Sequence, residues 1–267
     1  MFIEIIKSIF LGGVEGITEF LPISSTGHLI ILNQWVSFSA SFTKTFDIVI
    51  QLGAILAVIF YFWEKIWPFN KSGEKKSAAL NIWYKTIVGV IPAILIGGIF
   101  GGYIQKHLFS PWVVAATLVV GGLVMIYVER KHLRPRFDTV ASIPMMTVFF
   151  IGLIQCLSMI PGTSRSAATI IGAIILGASR IAAVEFSLYL AIPTMIAATG
   201  YSLLKGGFAM SGTEVVLLVI GFITAFFVAL SVIRFFIKYI QTNDFIPFAY
   251  YRIVLGILVL LYFMLVR

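Results

Sequence analysis

Charge is scarce in this chain: Asp, Glu, Lys and Arg together make up 11% of its 267 residues. Soluble domains carry about 25%, so a water-soluble globule is excluded. Cysteine is nearly absent. With Cys156 alone, neither an intrachain disulfide nor a thiolate metal cluster can form. No period-two alternation of apolar and polar residues recurs, which sets a membrane β-barrel aside. Basic stretches interleaved with stacking aromatics are also missing, so no nucleic-acid partner is expected. The N-terminal segment shows no cleavage pattern, and the first helix is expected to act as the insertion signal itself.

What fills the chain instead is apolar: 60% hydrophobic residues and a mean hydropathy of +1.05. Long apolar runs cover residues 46–62, 87–103, 112–127, 184–203, 215–233 and 253–266, and each reads as a membrane-crossing helix. Pro92 and Pro193 lie inside two of them and are expected to kink them. The net charge of +8 falls mainly between the runs, at Lys71, Lys75, Lys76, Arg130, Lys131, Arg134 and Arg136. That placement predicts contact with anionic lipid headgroups and a positive-inside bias.

Two regions do not read as simple spans. Residues 2–36 are interrupted by Gly12, Gly13, Pro22, Ser24, Ser25 and Gly27, and residues 143–176 by Pro161, Gly162, Thr163, Ser164 and Ser166. Non-helical backbone at membrane depth is tolerated only where protein or a water-filled cavity satisfies it, so both breaks mark a candidate site. Placing Pro22 on Pro161 puts Gly13 on Gly152, Ser24 on Thr163 and Ser25 on Ser164. The expectation is one membrane domain, residues 1–267, with internal repeats over about 1–135 and 140–267. Paired broken segments in corresponding halves point to a site at the repeat interface. The fold class expected is an all-α polytopic membrane protein, a bundle of two inverted repeats with two broken or re-entrant helix pairs.

The breaks also hold the ionisable groups. Glu15 and Glu19 stand four apart on one helix face. Two carboxylates so close must share a proton, bind a cation or meet an arginine, and an oxygen-only pair suits Mg²⁺ or Ca²⁺. Ser24, Ser25, Thr26 and Gly27 lead to His28 and an apolar helix; Gly162, Thr163, Ser164, Arg165 and Ser166 do the same in the second half. Hydroxyls at a helix start cap its N–H groups, and the free N–H groups with the helix dipole attract anions. Two such starts converging would cradle a phosphate or diphosphate, with Arg165 supplying bidentate charge. Ordinary capping would explain the hydroxyls alone, but neither Arg165 nor His28. His28 is a candidate acid, base or nucleophile. Gln155 reads as a neutral counterpart of the glutamates; Asp47, Gln51, Glu185 and Tyr189 are weaker candidates for the same cavity. His107 and His132 read as surface residues, and the glycines at 97–102, 121–122 and 172–177 as helix-packing positions.

The stretch from Glu15 through Pro22 to His28 closely resembles the first signature of bacterial undecaprenyl-diphosphate phosphatases of the bacitracin-resistance type. Pro161 to Thr169 resembles their second, with Ala167 where glycine is usual. The likeness runs essentially end to end. It implies hydrolysis of undecaprenyl diphosphate to undecaprenyl phosphate and phosphate, which recycles the lipid carrier of cell-wall synthesis and confers bacitracin resistance. By resemblance, Glu15 and Glu19 belong to a divalent-cation motif. Glu19, Ser25, His28 and Arg165 become the catalytic candidates, with Ser24, Thr26, Gly162, Ser164, Ser166 and Thr169 as phosphate-binding candidates. The expected setting is the bacterial cytoplasmic membrane, with the site open to its outer face, a polyprenyl diphosphate and membrane lipids as partners, and a homodimer permitted. A secondary transporter or flippase of a phosphorylated lipid is the alternative, since paired broken helices also serve transport.

Overall fold

A computed structural model describes residues 1–69, 71–206 and 210–265. Eleven helices follow in order: α1 (Phe2–Thr18), α2 (Ser25–Leu32), α3 (Ala40–Tyr61), α4 (Trp63–Ile66), α5 (Gly73–Leu108), α6 (Pro111–Arg130), α7 (Met145–Gln155), α8 (Arg165–Ile175), α9 (Arg180–Gly206), α10 (Gly212–Ile240) and α11 (Ile246–Leu265). A single 3₁₀ turn, Cys156–Met159, extends α7. Among the described residues there is no strand, only an isolated bridge between Phe137 and Ala178. Six helices, α3, α5, α6, α9, α10 and α11, are long and apolar enough to cross a bilayer. They correspond to the six apolar runs; residue 266, the expected end of the last run, lies outside the described residues. The chain is an all-α polytopic membrane protein.

Several helix ends differ from the apolar runs. α5 begins at Gly73, so Lys75 and Lys76 sit on its first turn rather than in a loop, and Arg130 is the last residue of α6. Apolarity reports the lipid-buried part of a helix, whereas the backbone ladder continues into the headgroup zone. Gly12 and Gly13 do not interrupt α1, which runs unbroken to Thr18. A methyl group on Gly12 would strike the backbone of Gly221 on α10, and one on Gly152 would strike Gly89 on α5. These glycines let backbones cross in contact.

Side-chain contacts set the direction of each element. Lys65 pairs with Glu185 (2.8 Å), Arg180 with Glu129, and the Phe245 amide donates to Glu129 (3.2 Å). The C-terminal ends of α3 and α6, the start of α9 and the turn between α10 and α11 therefore share one end of the bundle. Lys7 reaches the Ser37 carbonyl (3.1 Å), and Ser8 the Leu217 carbonyl (2.9 Å). The starts of α1, α3 and α10 thus lie at the opposite end. The hairpin of α1 and α2 opens at that second end, and the hairpin of α7 and α8 at the first. Their tips meet inside.

Candidate active site

Each break is shaped by the residue that caps the following helix. Ser24 caps α2, accepting from the Gly27 amide (3.2 Å); Ser164 caps α8, accepting from the Ala167 amide (3.2 Å). Both serines have positive φ, 74° and 70°. A non-glycine residue held there costs about 1–3 kcal/mol and persists only when its surroundings dictate it. The two strained caps are 140 residues apart, so Ser24 corresponds to Ser164, one position away from the register that pairs Pro22 with Pro161. In the cap register Glu15 falls on Gln155, and both are buried.

Between the tips lies a closed polar cluster. Ser25 donates to Glu19 Oε2 at 2.5 Å, and Arg165 Nη2 meets Glu19 Oε1 at 3.3 Å. One carboxylate therefore joins a hydroxyl of the first half to a guanidinium of the second. Arg165 also donates through Nη1 to the Ser187 carbonyl (3.0 Å), and its cation lies 5.9 Å from the centre of the Phe20 ring. The Thr169 and Ser187 hydroxyls are 2.5 Å apart. Ser166 donates to the Leu21 carbonyl (2.9 Å) and sits 3.0 Å from the Ser164 hydroxyl. Glu19 and Arg165 are 8% and 9% exposed at the side chain, so the pair is screened little by solvent.

Glu15, one turn before Glu19, is fully buried, and neither of its carboxylate oxygens has a partner. Among the described residues no group of three His, Cys, Asp or Glu side chains is placed to hold a metal. Two carboxylates with an orphaned set of oxygens fit an ion that keeps water and takes substrate oxygens, the habit of Mg²⁺; Ca²⁺ usually asks for six to eight oxygen ligands.

The family model for bacitracin resistance protein BacA matches residues 8–258 of the chain. This chain belongs to the BacA family. It is 47% identical over 267 residues to undecaprenyl-diphosphatase 1 of Clostridioides difficile (strain 630), covering 98% of this chain and 97% of that protein. It is 47% identical over 268 residues to the undecaprenyl-diphosphatase of Enterococcus faecalis, covering 97% of each. The corresponding enzyme 1 of Oenococcus oeni (strain ATCC BAA-331 / PSU-1) is 48% identical over 273 residues, again with 97% of each covered.

Within this BacA-family protein, the residues singled out in the sequence divide into three groups. Glu19, Ser25, Arg165, Ser166 and Thr169 come together in the cluster, with Ser24, Thr26, Gly162 and Ser164 in the two turns that frame it. His28 stands aside: its Nδ1 lies 2.7 Å from the Ser24 carbonyl and its Nε2 2.7 Å from the Tyr251 hydroxyl, with the two rings stacked. Three weaker candidates are engaged elsewhere. Asp47 accepts from Asn33 (2.7 Å), Glu185 pairs with Lys65, and Tyr189 packs edge-on to Phe62. They lie inside α3 and α9 rather than at their heads, because both helices begin earlier than the apolar runs suggested.

Three residues that contact the cluster, its rim or its turns escaped the sequence reading. Ser187 is an ordinary-looking serine of α9. Tyr251 is a tyrosine in an aromatic run. Arg252 carried a signal, since it is a lone cation near the start of the apolar α11, yet it was not singled out. It is fully buried and bonds four backbone carbonyls, those of Pro22, Thr117, Gly162 and Thr163.

Proposed function

We propose that this chain hydrolyses undecaprenyl diphosphate to undecaprenyl phosphate and inorganic phosphate, recycling the lipid carrier of cell-wall synthesis, and that this activity underlies bacitracin resistance. Full-length identity to enzymes named undecaprenyl-diphosphatase supports the substrate. The observation that carries the chemistry is the single carboxylate of Glu19 shared by Ser25 and Arg165 across the two breaks.

In this reading the polyprenyl tail stays in lipid between helices, and the diphosphate enters between the starts of α2 and α8. Arg165, the hydroxyls of Ser24, Thr26, Ser164, Ser166 and Thr169, and the turn at Gly162 hold its oxygens. Arg165 must then leave Glu19 at least in part, and the freed carboxylate keeps the proton-accepting contact with Ser25. Ser25 Oγ attacks the terminal phosphorus, its proton passes to Glu19, the bond to the bridging oxygen breaks, and Glu19 hands that proton to the departing lipid monophosphate. Water then cleaves the phosphoserine, with the Glu19 carboxylate accepting the water proton and returning it to Ser25 Oγ as phosphate leaves. Glu15 and Glu19 are the residues that would hold Mg²⁺, which when bound offsets charge on phosphate oxygens. His28 contributes from the rim, where the Ser24 carbonyl fixes its Nδ1 proton and Nε2 acts once it leaves the Tyr251 hydroxyl.

Phosphate release from a polyprenyl diphosphate by purified protein in detergent tests the reading, with and without chelator. Release should need the cation and fall at least about 100-fold in Ser25→Ala and Glu19→Gln. Absence of release from well-folded wild type across several cations would move the lipid-transport alternative to first place.

Three further features belong to the proposal. The recurring order of hairpin and three long helices supports two inverted repeats over about 1–135 and 140–267 within one domain. The basic residues Lys65, Lys71, Lys75, Lys76, Lys131, Arg134 and Arg136 at one end support a cytoplasmic side there, and the family resemblance supports a cytoplasmic-membrane setting with the site open to the outer face. Gly98, Gly101 and Gly102 of α5 have open space around them, and between exposed Ile94, Leu95, Ile99 and Phe100 they offer a close-packing face to a second copy.

A further inference from the structure

Arg252 is buried without charge compensation. Its side chain is 0% exposed, and none of the ion pairs among the described residues involves it. Burying a cation without a carboxylate is costly, and an apolar residue at such a place is often equal or better for stability. A purely structural reason for this arginine is therefore weak. What it holds is specific: Nη1 takes the Pro22 carbonyl (3.2 Å), and Nη2 takes those of Thr117 (3.2 Å), Gly162 (3.2 Å) and Thr163 (2.9 Å). Pro22 lies in the first break, Gly162 and Thr163 in the second. Thr117 is on α6, and its hydroxyl donates to the Pro161 carbonyl of the same second break (2.7 Å).

The carbonyls of a trans peptide and its N–H point in opposite directions. Drawing the Thr163 carbonyl onto Arg252 turns the Ser164 amide away from the cation, and among the described residues that amide has no acceptor. The same is true of the first two amides of each following helix, at Ser25, Thr26, Arg165 and Ser166, since capping begins only at Gly27 and Ala167. Arg252 thus stands behind the free Ser164 amide of the second turn; in the first it holds the Pro22 carbonyl, whose peptide N–H at Ile23 donates to the Leu21 carbonyl (2.7 Å). Gly121 completes the arrangement: a methyl group there would overlap the guanidinium.

We infer that Arg252 is a positioning residue of the phosphate site, binding both broken turns by their carbonyls so that their amides form one cradle, and lending that cradle an uncompensated positive charge. The inference rests on the reading that the two turns receive the diphosphate. Arg252 touches backbone and not substrate, so its effect falls on how well the anion is held, in ground state and transition state alike.

The test uses the purified full-length protein in detergent, with inorganic pyrophosphate as binding probe and a polyprenyl diphosphate as substrate. Arg252→Lys keeps the charge but cannot span four carbonyls. Gly121→Ala keeps the arginine and displaces its guanidinium. In both, KM and the pyrophosphate Kd should rise about tenfold, while kcat changes less than about threefold. Arg180→Met, which breaks an ion pair remote from the site, should lower Tm without moving KM. Wild-type KM and Kd in folded Gly121→Ala and Arg252→Lys would overturn the inference, and Gly121→Ala decides alone if the arginine variant does not fold. A wild type that neither releases phosphate nor binds pyrophosphate would instead overturn the phosphatase reading.

Discussion

Glu19 accepts from Ser25 with one oxygen and from Arg165 with the other, so the three side chains respond differently to substitution. Ser25→Ala leaves the ion pair intact; kcat should fall about 100-fold or more with little change in KM, read from steady-state phosphate release. Arg165→Ala strands a buried carboxylate, and breaking a pair of this kind costs about 3–5 kcal/mol. It should therefore lower Tm in detergent as well as activity, whereas Ser25→Ala should not. His28 makes a separate prediction. A carbonyl only accepts, so Nδ1 carries a proton, and Nε2 lies within hydrogen-bond distance of the Tyr251 hydroxyl. Tyr251→Phe keeps the stacked ring and uncovers Nε2. Acylation of His28 by an imidazole-directed reagent should speed up several-fold, with exposed His107 and His132 as internal references; an unchanged rate would show that Tyr251 does not cover the nitrogen. Glu19, Ser25, His28 and Arg165 were legible in the sequence, because ionisable and hydroxyl groups stand out in an apolar chain. Ser187 was not: a serine in a helix shows nothing until its neighbour Thr169 is in place.

At the scale of elements, the crossings of α1 with α10 and of α7 with α5 are made by backbones in contact. Gly12 meets Gly221 and Gly152 meets Gly89. Ala at Gly12 or Gly152 should destabilise the folded protein by about 1–3 kcal/mol through overpacking, seen as a lower Tm in detergent. Ala at Gly98, with open space around it, should leave Tm unchanged. The glycine clusters had all been read as packing positions. Gly122 and Gly172 fit that role, meeting Ala249 with Ile253 and Ile154 respectively, and Gly121 makes room for an arginine. Gly177 serves a turn with φ of +101°. Composition shows that a residue is small but not what lies opposite it.

At the scale of the molecule, two broken hairpins enter from opposite ends and their tips meet at Glu19 and Arg165. The basic end should face the cytoplasm. Single cysteines at Lys131 and Ser37, in a chain whose Cys156 is replaced by Ser, should react with an impermeant maleimide from opposite sides of sealed vesicles. Labelling of both from one side would refute the crossing pattern. Replacing Gly98 and Gly102 with Leu should convert any dimer in detergent to monomer by light scattering, without loss of Tm.

The membrane class, the six long helices and the two breaks were determined by the sequence itself, because bilayer thickness and the cost of unsatisfied backbone leave few ways to arrange such a chain. The principal chemistry-bearing residues followed for the same reason, since charge in lipid is too costly to be incidental. Tertiary structure alone decided which of them meet. Glu19 and Arg165 are 146 residues apart, and Arg252 reaches Pro22 across 230; no local pattern encodes a contact made by two hairpins arriving from opposite ends. It also decided that His28 turns to Tyr251 while Glu19 takes Ser25, because hydrogen bonds are settled by distances of a few ångströms between elements that only packing brings together.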